Sequence, residues 1–300
     1  MTVENPRCGF IAVLGAPNAG KSTLVNRLVG GKVSIVSPKV QTTRARVMGI
    51  AIQGDAQLVF IDTPGIFEPR RRLDRAMVAA AWGGANDSDI ALLLVDAERG
   101  IDRDTRAIIK RMGKEGKRAH LVLNKIDKVK KPDLLVMTTK LVSEGVFDEV
   151  FMVSALKGQG VDDLLAFLAE RMLEGPWHFP EDQMSDMTER LLAAEITREK
   201  LYLQLHQELP YATTVETETW EVRKDGSIKI EQVIYVERDS QKSIILGKSG
   251  QQIKKIGSMS RLELEDILDC RVHLFLFVKV REKWGDDPER YRDWGLDFDA

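Results

Sequence analysis

Eight residues near the start of the chain, Gly15-Ala16-Pro17-Asn18-Ala19-Gly20-Lys21-Ser22, have the types and spacing that suit a polyphosphate. Gly15 and Gly20 let the main chain wrap closely, so that successive N–H groups point inward at an anion. Lys21 adds a point charge for the β and γ phosphates, and the Ser22 hydroxyl is a ligand for a magnesium ion that bridges them. Asp62-Thr63-Pro64-Gly65 brings two further parts of the same chemistry. The Asp62 carboxylate can hold magnesium through water, and the Gly65 N–H can contact a γ-phosphate and move when that phosphate leaves. Asn124-Lys125-Ile126-Asp127 selects the base. Guanine presents N1–H and an amino group, both of which the Asp127 carboxylate accepts, whereas adenine presents an acceptor there; in a dry site that mismatch is worth roughly 10⁴-fold. Asn124 can face the O6 and N7 side, the Lys125 stem can cover the ring plane, and the Ala155 N–H of Ser154-Ala155-Leu156 would complete the reading at O6.

This chemistry requires each motif to stand at a strand end. Phe10–Leu14, Leu58–Ile61, His120–Leu123 and Glu149–Val153 are short apolar runs immediately before the four motifs. Lys21–Val29 has helical spacing with Leu24, Val25 and Leu28 on one face, so the first motif is a strand-to-helix turn with a helix N-terminus facing the anion. Singly the motifs are weak, because Gly-rich loops also make plain turns and Asp, Pro and Gly are common turn residues. In this order they specify a guanine-nucleotide switch on an α/β fold, a mostly parallel sheet with helices on both faces. The expected nucleotide set is Gly15 to Ser22 with Thr23, Asp62 to Gly65, Asn124, Lys125, Asp127, and Ser154 to Leu156. A kinase with a P-loop has no need of the guanine reader.

Ser37-Pro38-Lys39-Val40-Gln41-Thr42-Thr43-Arg44 is polar and aperiodic, and lies where such a protein keeps the loop that senses the γ-phosphate. A threonine there must reach magnesium. Thr42 and Thr43 are both candidates, with Thr43 preferred, which gives Ser22, Thr43 and Asp62 as the metal set and Lys21, Thr43 and Gly65 as the catalytic set.

With Gln41 to Arg44 reading Gln-Thr-Thr-Arg, residues 8–172 resemble the Era-type branch of the GTPases. Ras-like enzymes carry a water-orienting glutamine after the Asp-x-x-Gly motif, and here that residue is Ile66. An apolar side chain cannot position water, so slow intrinsic hydrolysis is expected. Relatives with an asparagine in the P-loop, here Asn18, include members that use potassium to neutralise transition-state charge, and the resemblance extends that expectation to this chain.

Three hundred residues, of which 43% are hydrophobic, are enough for about two domains with a core in each. Met1 to Gly9 is polar and no apolar run approaches the roughly 20 residues that span a bilayer, so neither a signal peptide nor a transmembrane segment is expected. Cys8 and Cys270 lack paired spacing and read as incidental thiols.

Val161–Met172 is an amphipathic helix pattern that closes the first domain, and Gly175-Pro176-Trp177-His178-Phe179-Pro180 then breaks regular structure. The expected organisation is a GTPase domain over 6–174, a linker over 175–185, a second domain over 186–283 and a tail over 284–300. The second domain reads helix (Met187–Gln207), strand (Thr213–Val222), strand (Ile228–Glu237), two helices, and a strand (Arg271–Val280). Gly247-Lys248-Ser249-Gly250 lies between the two helices and has the Gly-x-x-Gly pattern of a KH loop, whose backbone clamps about four nucleotides of single-stranded RNA. The element order resembles the type II KH fold. From Asp186 to Ala300 there are 18 basic against 23 acidic side chains, a net of −5, which is not the bulk signature of a nucleic-acid binder. Ser240–Leu262, however, carries Lys242, Lys248, Lys254, Lys255 and Arg261 and no acidic residue, so positive charge is concentrated at the loop. The expected RNA set is Lys242, Gly247, Lys248, Ser249, Gly250, Lys254 and Lys255.

A GTPase followed by a type II KH domain is the layout of the Era family, which about residues 5–285 resemble. The tandem-GTPase family fits less well, since one P-loop is present. The resemblance implies GTP or GDP with Mg²⁺ and K⁺ as cofactors, and the 3′ end of small-subunit ribosomal RNA and the small ribosomal subunit as partners. It also implies a cytoplasmic monomer, with peripheral membrane association known from the family alone. The alternative, favoured by the acidity of the second half, is a GTP-regulated protein-binding adaptor whose KH-like domain does not bind RNA.

Overall fold

The computed structural model describes residues 5–300; the first four residues of the polar stretch Met1–Gly9 lie outside the described residues. The chain divides into two compact units. One takes the chain up to Val36 together with Thr43–Asp186 and Tyr291–Ala300, and the other takes Ser37–Thr42 and Met187–Arg290.

In the first unit, β1 (Arg7–Gly15) leads through the Gly-rich turn to α1 (Lys21–Val29). There follow β2 (Val47–Gln53), β3 (Ala56–Asp62), α2 (Arg72–Asn86), β4 (Ile90–Asp96), α3 (Arg103–Lys114) and β5 (Ala119–Asn124). The unit continues with α4 (Lys131–Val142), β6 (Phe147–Met152), α5 (Val161–Glu170) and the two-residue β7 (Leu173–Glu174). The sheet order is β2-β3-β1-β4-β5-β6, with β7 beside β1. The pairs β1/β3, β1/β4, β4/β5 and β5/β6 are parallel, and β2 and β7 pair antiparallel. Successive side chains of β1 feed different layers. Ile11 and Val13 enter a core with Leu24, Phe60 and Leu164, and Ala12 and Leu14 enter one with Leu93, Ile108 and Leu141. Burial on both faces explains why these strands read as continuous apolar runs. Beyond β1 the strand order reverses, and ligands of open α/β sheets lie outside the carboxyl ends of strands at such a point.

The segment after β7 is tied to the sheet. The buried Gln57 side chain accepts from the His178 and Phe179 N–H groups at 2.9 and 3.0 Å and donates to Phe179 O at 2.8 Å. The C-terminal residues belong to this unit as well, with Tyr291 and Leu296 packed on Ala76 and Met77 of α2. The Arg72 guanidinium lies 4.3 Å from the Phe298 ring centre.

The second unit contains α6 (Glu189–Gln204), β8 (Thr213–Val222), β9 (Ile228–Val236), α7 (Asp239–Leu246), α8 (Gln251–Leu268), β10 (Val272–Val280) and α9 (Pro288–Asp293), whose last residues pass to the first unit. Its sheet runs β10-β9-β8, with β9 and β10 parallel and β8 and β9 antiparallel. The hairpin turn is fixed by the Asp225 carboxylate, which accepts from the Ser227 N–H and Oγ, and by Gly226 at φ +79°. The core joins Leu201, Val215, Ile234, Ile245, Ile256 and Val278. Ser37–Thr42 packs in this unit: Lys39 Nζ donates to the Tyr202 and Leu205 carbonyls at the end of α6, and Arg198 Nη2 donates to Thr42 O at 2.5 Å. An ammonium there satisfies carbonyls that the helix leaves open.

Candidate functional site

At the carboxyl edge of the sheet in the first unit stand Gly15 on β1, Asp62 on β3, Asp96 on β4 and Asn124 on β5. The turn after β1 is close-packed. A Cβ at Gly15 would lie 2.5 Å from Leu94 O, one at Gly20 2.3 Å from Asn124 Nδ2, and both residues have positive φ. Asn18 also has positive φ, +64°. Lys21 is 6% exposed, and its ammonium donates to Gly15 O at 3.2 Å and Ala16 O at 3.1 Å. Burial lowers its pKa to about 8, against the raising effect of Asp62.

Asp62 is fully buried, and its Oδ2 accepts from Ser34 Oγ at 2.7 Å. Its Oδ1 has no hydrogen-bond partner among the described residues. Burial pushes this carboxyl above its usual range, while the Ser34 and Ser22 hydroxyls, the Lys21 charge and Thr43 pull it back. Ser22 Oγ and Thr43 Oγ1 are 2.9 Å apart, whereas Thr42 Oγ1 turns to Ser37 Oγ and Lys39 O, both at 2.7 Å. An unpartnered carboxylate oxygen beside two hydroxyls is a set of hard oxygen donors of the kind magnesium takes. A dication there would also remove the cost of holding Asp62 ionised.

Thr63 Oγ1 donates to Val13 O at 2.8 Å, and the Ile66 N–H to Gly15 O at 3.1 Å. The chain passes so close to the turn that a Cβ at Gly65 would lie 2.9 Å from Pro17 Cα. Ile66 is 6% exposed and its side chain belongs to the core with Leu14 and Trp82.

Asn124 ties three motifs together. Its Nδ2 donates to Ala19 O at 2.8 Å, and its Oδ1 accepts from the Lys125 N–H at 2.8 Å and the Ala155 N–H at 3.0 Å. Ser154 Oγ donates to Asp127 Oδ1 at 2.7 Å, and Lys157 Nζ lies 3.5 Å from Oδ2. The Ser154 hydrogen bond, ahead of Lys157, holds the Asp127 carboxyl below its usual range, so it is ionised and ready to accept. Lys125, at φ +65°, directs its ammonium to Asp96 Oδ2 at 2.5 Å. Beside the Ala155 loop a cavity of 460 Å³ is lined by Thr23, Arg27, Lys32, Val36 and Leu156, among others.

Several participants carry no motif. Asp96 anchors Lys125, Arg99 Nη1 donates to Pro17 O at 3.2 Å, and Arg27 donates to Ala155 O at 3.2 Å and Leu156 O at 2.6 Å. Asn26 accepts from the Val33 and Ser34 N–H groups, both at 2.9 Å, and so sets Ser34 on Asp62. The one sequence signal for any of these was Asp96 at the end of the apolar run Ala91–Val95.

In the second unit, Gly247 to Gly250 join α7 to α8 with Gly247 at φ +70°, Ser249 at +53° and Gly250 at +75°. A Cβ at Gly247 would meet Gln252 Cβ at 2.6 Å, while one at Gly250 would have nothing within 4 Å. Lys248, Ser249, Lys254 and Lys255 are exposed and Lys242 is half-buried. Arg261 is paired with Glu265 at 2.6 Å. Ile244 is 58% exposed close to the loop, leaving an apolar surface beside the cationic one.

Residues 10–125 match the model of the 50S ribosome-binding GTPase family, and residues 208–285 that of the KH domain. GTPase Era of Rhizobium meliloti (strain 1021) is 63% identical over 292 residues, 97% of this chain and 93% of that protein. This chain belongs to the Era family of GTPases. The Era of Brucella suis biovar 1 is 62% identical, over 97% of this chain and 94% of its own length. Two Era crystal structures superpose along nearly the whole chain, each at 38% identity. A substituted Aquifex aeolicus Era bound to GDP·AlF₄⁻ gives a TM-score of 0.90 over 96% of this chain and 99% of that one. Era in complex with MgGDPNP and nucleotides 1506–1542 of 16S ribosomal RNA gives 0.91 over 97% and 99%. Membership of the Era family confirms the expected fold, an α/β GTPase followed by a KH domain. Among the described residues no helix is long and apolar enough to cross a membrane.

Proposed function

We propose that this protein is a GTP-binding and GTP-hydrolysing switch that grips the 3′ end of small-subunit ribosomal RNA through Gly247–Gly250 and acts in maturation and assembly of the small ribosomal subunit. The observation that carries the nucleotide half is the buried Asp62 carboxylate, with one oxygen unpartnered beside the Ser22 and Thr43 hydroxyls. Ser22, Thr43 and Asp62 are the residues that would hold magnesium, and Thr43 is preferred to Thr42 because its hydroxyl is the one at Ser22. When bound, the ion neutralises charge on the β and γ phosphates.

In hydrolysis a water oxygen bonds to the γ-phosphorus as the bond from that phosphorus to the bridging oxygen breaks, giving GDP and inorganic phosphate. The Lys21 ammonium and the turn N–H groups between Gly15 and Ser22 hold the phosphates, and the Gly65 N–H approaches the γ-phosphate. Asp127 accepts from guanine N1–H and N2, and the Ala155 N–H lies close enough to Asn124 for the two to read O6 as a unit. Ile66 offers no group to orient water, so the intrinsic rate is slow. Asn18 is the residue that would hold a potassium ion, which would supply transition-state charge: the rate should be higher in potassium than in sodium, and Asn18→Ala should remove the difference. Equal rates in both salts would exclude Asn18 from the mechanism. The KH loop binds RNA backbone with Gly247, Lys248, Ser249 and Gly250, assisted by Lys242, Lys254 and Lys255. The protein resides in the cytoplasm, with peripheral membrane association as a secondary location.

The test is titration of a 3′-end rRNA oligonucleotide against the full chain loaded with GDPNP or with GDP. A switch must show different RNA affinities, and RNA must then shift nucleotide affinity by the same factor. Identical affinities would leave two independent binding modules.

A further inference from the structure

Arg70, Arg71, Arg72 and Arg75 stand within six residues of one another, five residues after Gly65, in a chain whose net charge is −2. All four are exposed. The carboxylates that could neutralise them are committed elsewhere. Asp74 is buried, and its Oδ2 accepts from the Arg70 and Arg71 main-chain N–H groups, both at 3.0 Å. Glu68 is paired with Arg103 at 2.7 Å. Among the described residues Arg70, Arg71 and Arg75 make no ion pair, and Arg72 lies on the Phe298 ring. Asp74 therefore fixes the main chain beneath the cluster, while the three exposed guanidinium groups have no ion-pair partner among the described residues. Arg106 and Lys110 on α3 are also exposed.

We propose that Arg70, Arg71 and Arg75 form a second RNA contact, on the GTPase unit, for the phosphate backbone of the same ribosomal RNA; this rests on the RNA-binding reading above. Guanidinium groups match phosphate bidentately and are the preferred side chains for that task. A KH loop clamps about four nucleotides, whereas the RNA in the solved Era complex runs from nucleotide 1506 to 1542 and leaves phosphates for contacts beyond the clamp. The cluster follows the Gly65 segment directly, so a grip there is stronger in one nucleotide state than in the other.

The experiment compares the full wild-type chain with the triple variant Arg70→Ala, Arg71→Ala, Arg75→Ala, none of which belongs to the nucleotide site. Two RNA probes are titrated in the presence of GDPNP over a range of salt: a 3′-end rRNA fragment that includes a helix, and a short single strand matched to the KH loop alone. The variant is expected to bind the long fragment about tenfold or more weakly at low salt. Its salt slope should be smaller by roughly 2, as about three lost contacts require. Affinity for the short strand and for GDPNP should be unchanged, which also shows that the variant is folded. The corresponding Arg→Lys triple variant should recover most of the low-salt affinity. Unchanged affinity and slope for the long fragment would overturn the proposal. So would loss of binding to small subunits with naked-RNA affinity intact, which would assign the cluster to an acidic protein surface. Failure of the wild-type chain to bind either probe would instead sink the RNA reading itself and the second contact with it.

Discussion

The nucleotide site and the KH loop both depend on glycines, yet for opposite reasons. At Gly15, Gly20 and Gly65 a side chain would collide with the protein itself: Leu94 O at 2.5 Å, Asn124 Nδ2 at 2.3 Å and Pro17 Cα at 2.9 Å. At Gly250 a side chain would meet nothing within 4 Å, and the residue is constrained only by its φ of +75°. The first site is closed on itself before any ligand arrives. Residues from distant motifs are joined there, as in the Asn124 bonds to Ala19, 105 positions away, and to Ala155, 31 positions away. The loop is four consecutive residues with space over it. Pre-organisation favours selectivity, because a rigid site cannot adjust to a wrong base, and openness favours a long, variable ligand held by its backbone.

The largest test of this contrast is Asp127→Asn. An amide presents a donor where guanine also presents one, so GTP affinity should fall by roughly 10⁴-fold while xanthine nucleotide is gained. RNA affinity measured without nucleotide should be untouched. Retention of wild-type GTP affinity would remove Asp127 from base reading.

Next in size is a matched pair of glycine variants. Gly20→Ala forces Asn124 from its place and should cost both nucleotide affinity, by roughly 10²-fold, and thermal stability. Gly250→Asp should lower single-stranded RNA affinity by roughly 10²-fold through bulk and like-charge repulsion, with GTP binding unchanged. It should lower the melting temperature only modestly, since aspartate meets no neighbour there and takes positive φ more readily than most residues, at a cost of about 1 kcal/mol. Strong destabilisation by Gly250→Asp would show that the loop is as closed as the nucleotide site and would end the comparison.

How much of each region the sequence discloses follows from the same difference. Strand ends recur in register along the chain, so apolar runs before Gly15, Asp62 and Asn124 located one edge of one sheet. The alternation over Thr213–Val222 matches the bounds of β8, whereas the expected helix Met187–Gln207 forms over Glu189–Gln204, with Thr188 capping its N-terminus through the Leu191 N–H. Asn26, Ser34, Arg27 and Arg99 were not legible. Asn26, Arg27 and Arg99 act through main-chain carbonyls and N–H groups, which leave no spacing to read, and Ser34 brings its hydroxyl to Asp62 from outside any motif. The tail after Val280 carries no pattern that assigns it, because its packing on α2 through Tyr291 and Leu296 is tertiary.

A smaller effect separates the regions by pH. Burial holds the Lys21 ammonium at a pKa of about 8. Bound phosphates favour its charged form, so below pH 8 affinity should be flat, and above it affinity should fall about tenfold per unit as binding takes up a proton. Ligand-free stability should move the other way through this group. Between its folded value of about 8 and its unfolded value the unfolded chain binds more protons, so its contribution rises with pH. Calorimetry of GDP binding at pH 7, 8 and 9 in buffers of different ionisation enthalpy reads the proton directly. No proton uptake at pH 9 would mean that Lys21 is already charged before the nucleotide arrives.

The smallest effect is expected at Lys248, and it is the most direct measure of openness. Lys248 is exposed on a loop with space at Gly250, so on the proposed RNA reading its charge would act as one phosphate contact among several and have little part in holding the loop. Lys248→Ala should therefore weaken binding only a few-fold at moderate salt and lower the salt slope by about 0.7, the share of a single phosphate on a single strand. Its effect should shrink as salt rises, because the term it removes is the one that salt screens. A salt-independent loss would mean instead that the side chain helps to shape the Gly247–Gly250 turn. Measuring the slope at four or five salt concentrations decides between these, and a loss that persists at high salt would move Lys248 from the ligand side of the comparison to the side of the scaffold.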